Sequence, residues 1–262
     1  MTALDFATRR FQSAAAHYLA GRTPYPEALI ANVARLLELL STDRILDLGC
    51  GPAQLATAFA PFAGEVLALD PEPHMLALAR EATNGLPNVK VAEGSSDDLG
   101  PEFGRFRAVL IGRAFHWMDR EETLKRLDRL IEPDGAVVLF GDGRPAIPEN
   151  KWVKEVEALL ERYSEDDEGR RHRRSDAFAP HISVLLRSPF NRLQQFGVTA
   201  ERELTIDGLV DRALSRSSTS RARLGERVDV MIEELRALAA ELSSSGPLLE
   251  VVTSNALIAR RP

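Results

Sequence analysis

The chain has 262 residues, with 33 basic and 39 acidic side chains and a formal charge of −6 at pH 7. At roughly 150 residues per domain, that length suits one large domain or a core carrying an insertion. Hydrophobic residues at 44% and charged residues at 27% exclude disordered and collagen-like chains, and the lone Cys50 excludes an internal disulfide and thiolate zinc clusters.

The opening stretch, MTALDFATRRFQSAAAHYLAG, lacks the apolar core of a signal peptide, and no 18-residue apolar run follows it. A cytoplasmic protein without a membrane segment is expected. Leu29, Ile30, Val33, Leu36, Leu37 and Leu40 then fall at helical spacing, which predicts an amphipathic helix over Tyr25 to Leu40. Arg44 to Leu48 reads as a buried strand ending in Gly49-Cys50-Gly51. A helix over Ala53 to Phe62, a strand over Glu65 to Leu69, a helix over Met75 to Thr83 and a strand over Val89 to Glu93 follow. Arg107 to Ile111 is the fourth strand. Asp119 caps the next helix, with Glu122 placed to complete a capping box. Pro133-Asp134-Gly135 ends that helix before a strand over Ala136 to Phe140. Nearly uniform apolar strands separated by helices predict a parallel sheet covered on both faces.

Beyond Gly141 the alternation breaks. Lys151 to Tyr163 reads as a helix, Ser164 to Asp176 as a mixed-charge stretch, and Ala177 to Phe196 as weakly helical. Val198 to Ile206 alternates like a strand, Gly208 to Arg216 and Arg227 to Leu242 are helical, and Leu249 to Ile258 is a last strand. The expected fold is α/β: a Rossmann-like, doubly wound, mostly parallel seven-stranded sheet with helices on both faces and a helical cap. Its divisions are a cofactor-binding core over 18–141, a cap over 145–200 and closing elements over 201–262, all in one domain.

Strand, Gly49-Cys50-Gly51, helix is a nucleotide-type turn, because glycines let the backbone approach a ligand at the carboxyl edge of the sheet. A dinucleotide fingerprint needs a third glycine where this chain has Gln54, and an acid such as Asp47 at the strand end would repel a pyrophosphate. Asp47 suits a cationic amino group instead. Asp70 ends the second strand, where a carboxylate accepts both hydroxyls of a ribose. A ligand with a ribose and an ammonium but no phosphate fits, and S-adenosylmethionine is one. The competing reading is a set of tight turns in a flavodoxin-like sheet.

The combined motifs resemble the class I S-adenosylmethionine-dependent methyltransferases, most closely the small-molecule branch called type 11, which includes enzymes like trans-aconitate methyltransferase. The residues that carry the likeness are Ile45-Leu-Asp-Leu-Gly-Cys-Gly-Pro52, Val66-Leu-Ala-Leu-Asp-Pro71, Gly94-Ser-Ser-Asp-Asp-Leu99, Ala114-Phe-His-Trp-Met-Asp119 and Leu130-Ile-Glu-Pro-Asp-Gly135. The lead-in Tyr18-Leu-Ala-Gly-Arg-Thr-Pro-Tyr-Pro26 also matches, with Thr23 where the family has proline. The resemblance implies that Gly49, Gly51 and the Gln54 region cradle the methionine part of the cofactor and that Asp70 binds its ribose. It puts Pro71 and Met75 beside the adenine, Ser95 and Ser96 at the adenine edge, Arg22 on the cofactor carboxylate and Tyr18 over it. Arg113 joins this cofactor set. Met75 also reads as a helix-core residue.

The loop after the fourth strand, Gly112 to Met118, lies beside this turn. His116 is a candidate general base, with an unperturbed pKa near 6.5, or a packed histidine that orients the loop. Phe115 and Trp117 would wall a substrate pocket, and Arg216 would face it from the C-terminal part. The run Arg170-Arg-His-Arg-Arg174 follows Glu165-Asp-Asp-Glu168 and reads as a solvated, charge-balanced loop.

Neither half of the chain carries a basic excess, which disfavours a nucleic-acid partner. The loop at Gly112 lacks the Asn/Asp-Pro-Pro-aromatic tetrad that holds a flipped base. No His/Asp/Glu cluster suggests a metal. The expected activity is metal-independent methyl transfer from S-adenosylmethionine to a small organic acceptor, in a monomer or homodimer. The alternatives are a non-catalytic protein that binds this cofactor or its demethylated product, and an NAD-dependent reductase.

Overall fold

The structure is a computed structural model that describes residues 13–244 and 246–262. The part of the opening stretch that precedes Ser13, on which the signal-peptide expectation mostly falls, lies outside the described residues. No described helix is long and apolar enough to cross a membrane.

Seven strands form one sheet in the order β3-β2-β1-β4-β5-β7-β6. They are β1 (Arg44–Leu48), β2 (Glu65–Asp70), β3 (Val89–Glu93), β4 (Phe106–Gly112), β5 (Ile131–Gly143), β6 (Arg192–Leu204) and β7 (Leu248–Arg260). The first five run parallel, and β7 is antiparallel to both β5 and β6. Strand order reverses between β1 and β4, so a crevice opens at their carboxyl ends, where open α/β sheets bind ligands.

Pleat alternation sorts the apolar residues of each strand to two faces. Ile45, Val66, Ala108, Leu110 and Val138 pack beneath α2 (Glu27–Leu36) and α3 (Gln54–Phe59), where Leu29, Val33 and Phe59 meet them. α4 (Pro73–Ala82) adds Ala79 to this face. Leu46, Leu48, Val109, Ile111 and Val137 point the other way, onto Leu124 and Leu127 of α5 (Arg120–Leu130) and Val184 and Leu185 of α8 (His181–Leu186). Such double coverage is the reason the parallel strands read as continuous apolar runs.

A third cluster forms where β6 ends and β7 begins, with Leu204 and Leu248 in it. Val156, Leu159 and Leu160 of α6 (Val153–Arg162) pack on Leu209 and Leu214 of α9 (Ile206–Leu214), on Leu224 of α10 (Arg221–Leu224) and on Met231 of α11 (Arg227–Leu242). The helices on either side of β6 therefore share one core. α7 (Glu168–Arg174) lies in the same insertion. Helix α1 (Ala15–Gly21) docks on α9, where a Cβ on Gly21 would collide with the carbonyl of Asp211, and His17 pairs with Asp211 at 2.7 Å.

Several local expectations change. The first amphipathic helix is confined to Glu27–Leu36, because Pro26 has extended backbone. The segment Ala177 to Phe196 is not one weak helix. Only His181–Leu186 forms α8 there, and β6 begins at Arg192, inside the range expected for the cap, because β6 pairs in register with β7 along its whole length. Asp119 caps α5 by accepting from the Glu122 amide at 3.1 Å, but Glu122 turns to Lys125 and Arg126 instead of closing the box. A reciprocal box closes at Ser95 and Asp98.

Candidate functional site

β1 ends in a turn with three left-handed residues: Gly49 at φ +69°, Gly51 at φ +54° and Ala53 at φ +61°. The amides of Gly49 and Cys50 both donate to the Leu69 carbonyl, at 2.8 and 2.9 Å, which pins the turn to the end of β2. The two glycines have different steric reasons. A Cβ on Gly49 would sit 2.7 Å from Cβ of Ala114, in the loop after β4, whereas a Cβ on Gly51 would meet nothing within 4 Å. Gly51 thus presents bare backbone to an open crevice, a cradle that a ligand can approach closely.

Two acids flank the turn. Oδ2 of Asp70 accepts from the Gly51 amide at 2.8 Å, and Oδ1 accepts from the Glu72 amide at 2.8 Å. Each oxygen keeps a second acceptor site, the arrangement needed for two ribose hydroxyls. Burial raises the pKa of Asp70, and the amides of Glu72 and Gly51 oppose that rise. Asp47 is 1% exposed and accepts from the Ala56 amide at 2.9 Å, in the first turn of α3. Burial lifts its carboxyl to about 7, and the charge of Asp70 adds to the rise. A buried acid held near neutrality ionises readily when a cation arrives beside it. Burial pushes the Cys50 thiol well up, so it is no nucleophile at neutral pH.

A pocket at this turn gathers Tyr18, Asp47, Gly49 and Gln54, all expected from the sequence. It also takes in Tyr25, Leu55 and Gly112, to which the sequence reading gives no role. Gly112 must lack a side chain, since a Cβ there would lie 2.7 Å from the Tyr25 hydroxyl and 2.9 Å from Leu55. The visible hint was Tyr25 within the lead-in motif. Pro71 and Met75 stand at the end of β2 and in α4, with Met75 buried in the helix face. The Ser95 hydroxyl donates to Asp98 and accepts from the Asp97 amide, and Ser96 is buried. These four residues adjoin Asp70, whose carbonyl accepts from the Gly94 amide at 3.2 Å, but lie outside the lining of that pocket. The open Gly51 backbone, the two acids and the spare acceptor sites of Asp70 fit S-adenosylmethionine.

Arg113 stands at φ +57° in the loop after β4. Its guanidinium donates to Asp142 at 2.6 Å and to the Thr23 carbonyl at 2.7 Å, and it lies 4.5 Å over the ring of Tyr25. Only Nη1 is left buried without a partner. This side chain braces the lead-in against β5 and thereby places Tyr25. Asp142 also accepts from Arg144 at 2.9 Å, and Arg144 continues to Glu250. Glu250 is fully buried and takes Arg202 at 2.8 Å and both Nη atoms of Arg212 at 2.6 and 2.7 Å. Burial disfavours ionisation of both carboxyls, but the arginines outweigh it and hold each at about 2. Sequence reading missed this network, since its partners lie up to 106 positions apart.

Arg22 follows α1, donates to the Ser215 carbonyl at 3.0 Å and lies 5.3 Å from the centre of the Tyr18 ring, with Nε buried and unpartnered. Phe115 is buried and meets His181 edge-on at 5.2 Å. His116 packs on Trp117 at 4.8 Å and stacks towards His181 at 6.5 Å. Burial depresses the His116 pKa to about 3, and the charges of Arg173, Arg22 and Arg120 and a coupling to His181 push the same way. Burial and Arg120 lower His181 to about 4. Both imidazoles are neutral at pH 7. His181 was not singled out from the sequence. Arg216 is not directed at the crevice by any contact; it forms a two-pronged pair with Glu157 of α6, with the Nη1 bond at 2.8 Å. Among the described residues, no group of three or more His, Cys, Asp or Glu side chains could hold a metal ion.

Residues 45–135 match a methyltransferase-domain family. A Mycobacterium tuberculosis protein described as an uncharacterized methyltransferase is 29% identical over 240 residues, covering 91% of this chain and 90% of that one. A demethylmenaquinone methyltransferase of Staphylococcus carnosus is 30% identical over 121 residues, 44% of this chain and 50% of that protein. In fold, the chain is similar to an S-adenosylmethionine-dependent methyltransferase from Thiobacillus denitrificans solved with S-adenosyl-L-homocysteine, with a TM-score of 0.54, 14% identity and full coverage of both chains. The glycine-turn motifs, the domain match over them and the seven-stranded sheet order together support a class I S-adenosylmethionine-dependent methyltransferase.

Proposed function

We propose that the protein transfers a methyl group from S-adenosylmethionine to a small organic acceptor by in-line displacement. The observation that carries this reading is the pair of aligned acids, Asp47 and Asp70, on either side of the open Gly51 backbone. Asp70 takes the ribose hydroxyls, Asp47 the ammonium and Arg22 the carboxylate, with Tyr18 closing over them. Pro71 and Met75 flank the adenine, and Ser95 and Ser96 stand at its edge. Arg113 holds Tyr25 and Thr23 in place and offers Nη1 to the ligand.

The cofactor supplies a methyl group activated on a sulfonium: the acceptor's lone pair bonds to that carbon, the sulfur keeps the former bonding pair as a thioether, and any proton the acceptor sheds passes to solvent. The chain's own work is alignment and exclusion of water. Phe115, His116 and Trp117 supply the wall beside the glycine turn. A His116 pKa of about 3 makes this imidazole a weak base, suited to accept a hydrogen bond from the acceptor rather than hold its proton. The helical cap formed around α6 and α7, with Arg216, covers the acceptor.

Calorimetry with S-adenosylmethionine, its demethylated product and NAD tests the cofactor, and release of labelled methyl to a panel of small acids, phenols and amines tests the activity. Binding of the first two ligands but not NAD, with turnover of at least one acceptor, is the expected result. No binding of the demethylated product at millimolar concentration would overturn the reading.

A further inference from the structure

Tyr25 lines the pocket at the glycine turn with a hydroxyl that the fold places but does not use. It stands between Pro24 and Pro26, so its backbone is restricted to extended forms before the chain enters α2. The ring is fixed from two sides. It meets Phe140 of β5 edge-on at 5.5 Å, and the Arg113 guanidinium, held by Asp142 and the Thr23 carbonyl, lies 4.5 Å from its centre. The hydroxyl oxygen ends beside Gly112, where a Cβ would come within 2.7 Å of it. Packing thus specifies where this oxygen sits, yet among the described residues no group hydrogen-bonds it. Burial raises the Tyr25 pKa against the opposing charge of Arg113, so the group is a neutral O–H donor at neutral pH.

Asp47, Gly49 and Gln54 line the same pocket, and the charge of Asp47 bears on Tyr25. Asp47 is assigned above to the ammonium of the cofactor. In an α-amino acid the carboxylate is bonded to the carbon that bears the ammonium, so whatever takes the carboxylate must stand next to Asp47. An acid at that place repels a carboxylate unless donors hold it. Tyr25 and Gln54 are such donors, and the Gln54 amide also makes no side-chain hydrogen bond among the described residues. Arg22, assigned to the carboxylate, feels the charge of Arg113, the residue that lies over Tyr25. The carboxylate end of the cofactor therefore belongs on the Tyr25 side of the pocket.

We infer that the Tyr25 hydroxyl donates a hydrogen bond to the cofactor's carboxylate, sharing it with Gln54 and Arg22, and makes the pocket select the complete amino acid over ligands that lack the carboxylate. This rests on the cofactor reading above. Arg113 acts as a positioning residue by holding the ring, and Gly112 leaves room for the hydroxyl at the end of β4.

The test is calorimetry on the full chain with S-adenosylmethionine, its decarboxylated form and methylthioadenosine. The first two differ only in the carboxylate, and the third lacks the amino-acid end. Tyr25→Phe removes the hydroxyl and keeps the ring between Phe140 and Arg113. It should weaken S-adenosylmethionine by about tenfold or more, while the other two ligands stay within about twofold of their affinity for the unaltered protein. Gln54→Leu should show the same selectivity, with a loss of roughly three- to tenfold. Retained methylthioadenosine binding shows that each variant keeps its pocket, which a folding defect would not allow. Equal losses for S-adenosylmethionine and its decarboxylated form, or no loss for either, would overturn the inference. Failure of the unaltered protein to bind S-adenosylmethionine would overturn the cofactor reading instead.

Discussion

The backbone amide of Gly51 donates to the carboxylate of Asp70 at 2.8 Å, so the turn that leaves β1 is held by the acid that ends β2. One side chain therefore serves two ends. It shapes the turn and keeps acceptor sites for a ligand.

Asp70→Ala should act on both. Loss of the carboxylate leaves the Gly51 and Glu72 amides without their partner, at about 1–3 kcal/mol of stability. Affinity for S-adenosylmethionine should drop by tenfold or more, because hydrogen bonds to a charged group are worth roughly 1.5–3 kcal/mol. Calorimetry and thermal melts read the two effects, and unchanged affinity would sink the ribose assignment.

The glycine pair separates shape from access. Gly49→Ala combines a left-handed backbone with a Cβ placed 2.7 Å from Ala114, so a loss of roughly 2–4 kcal/mol is expected in chemical denaturation. Gly51→Ala finds open space and should cost only about 1–2 kcal/mol, from the backbone alone. Its methyl group enters the crevice, and the larger effect should be on cofactor affinity. Equal stability losses in the two variants would contradict this division.

Asp47 and the two buried imidazoles give opposite pH responses. The Asp47 pKa is raised from 3.8 to about 7. Its stabilising contribution is therefore full below about pH 4 and is lost as pH rises through 7. His116 and His181 are lowered from 6.5 to about 3 and about 4, so their contribution is full above pH 6.5 and is lost as pH falls towards 3. Asp47→Asn should raise ligand-free stability at pH 8 relative to pH 5, and His116→Asn should reduce the acid sensitivity seen between pH 6.5 and 4. In the unaltered protein, cofactor affinity should increase from pH 6 to 8 as Asp47 ionises beside the ammonium. Melting temperatures and calorimetry across that range check each sign.

Glu250→Gln should be among the most damaging substitutions outside the crevice. Removing one partner of a buried ion network costs about 3–5 kcal/mol, and here three arginines lose their shared acid. Because Arg144 also holds Asp142, and Asp142 holds Arg113, weaker cofactor binding should accompany the lost stability. Denaturant unfolding and calorimetry measure both, and a stability change under about 1 kcal/mol would show that the network contributes little.

The legible parts of the site are those whose physics is local. The bounds of β1 and β3 match the apolar runs read from sequence, and Asp119 caps α5 as its position suggests. Gly49, Gly51 and Asp70 were recognisable because a turn needing left-handed backbone and an acid at the next strand end leave a fixed spacing. The second half of β6 was legible from Val198 onward, but its first residues, from Arg192, were read as weakly helical and become strand by pairing with β7. The mid-chain helices looked like a simple insertion, yet α6 finds its apolar partners in α9 and α11, beyond β6.

Sequence alone determined the sheet class, the glycine turn and the acids beside it, since strand burial, positive φ and carboxyl placement are set by residues near each other in the chain. Only the tertiary structure decided what the arginines do. Arg113 braces Tyr25, Arg212 sinks onto Glu250, and Arg173 lies over the ring of Trp117. A guanidinium on a long stem can reach water, an acid or a ring, and which one it meets depends on segments far away along the chain.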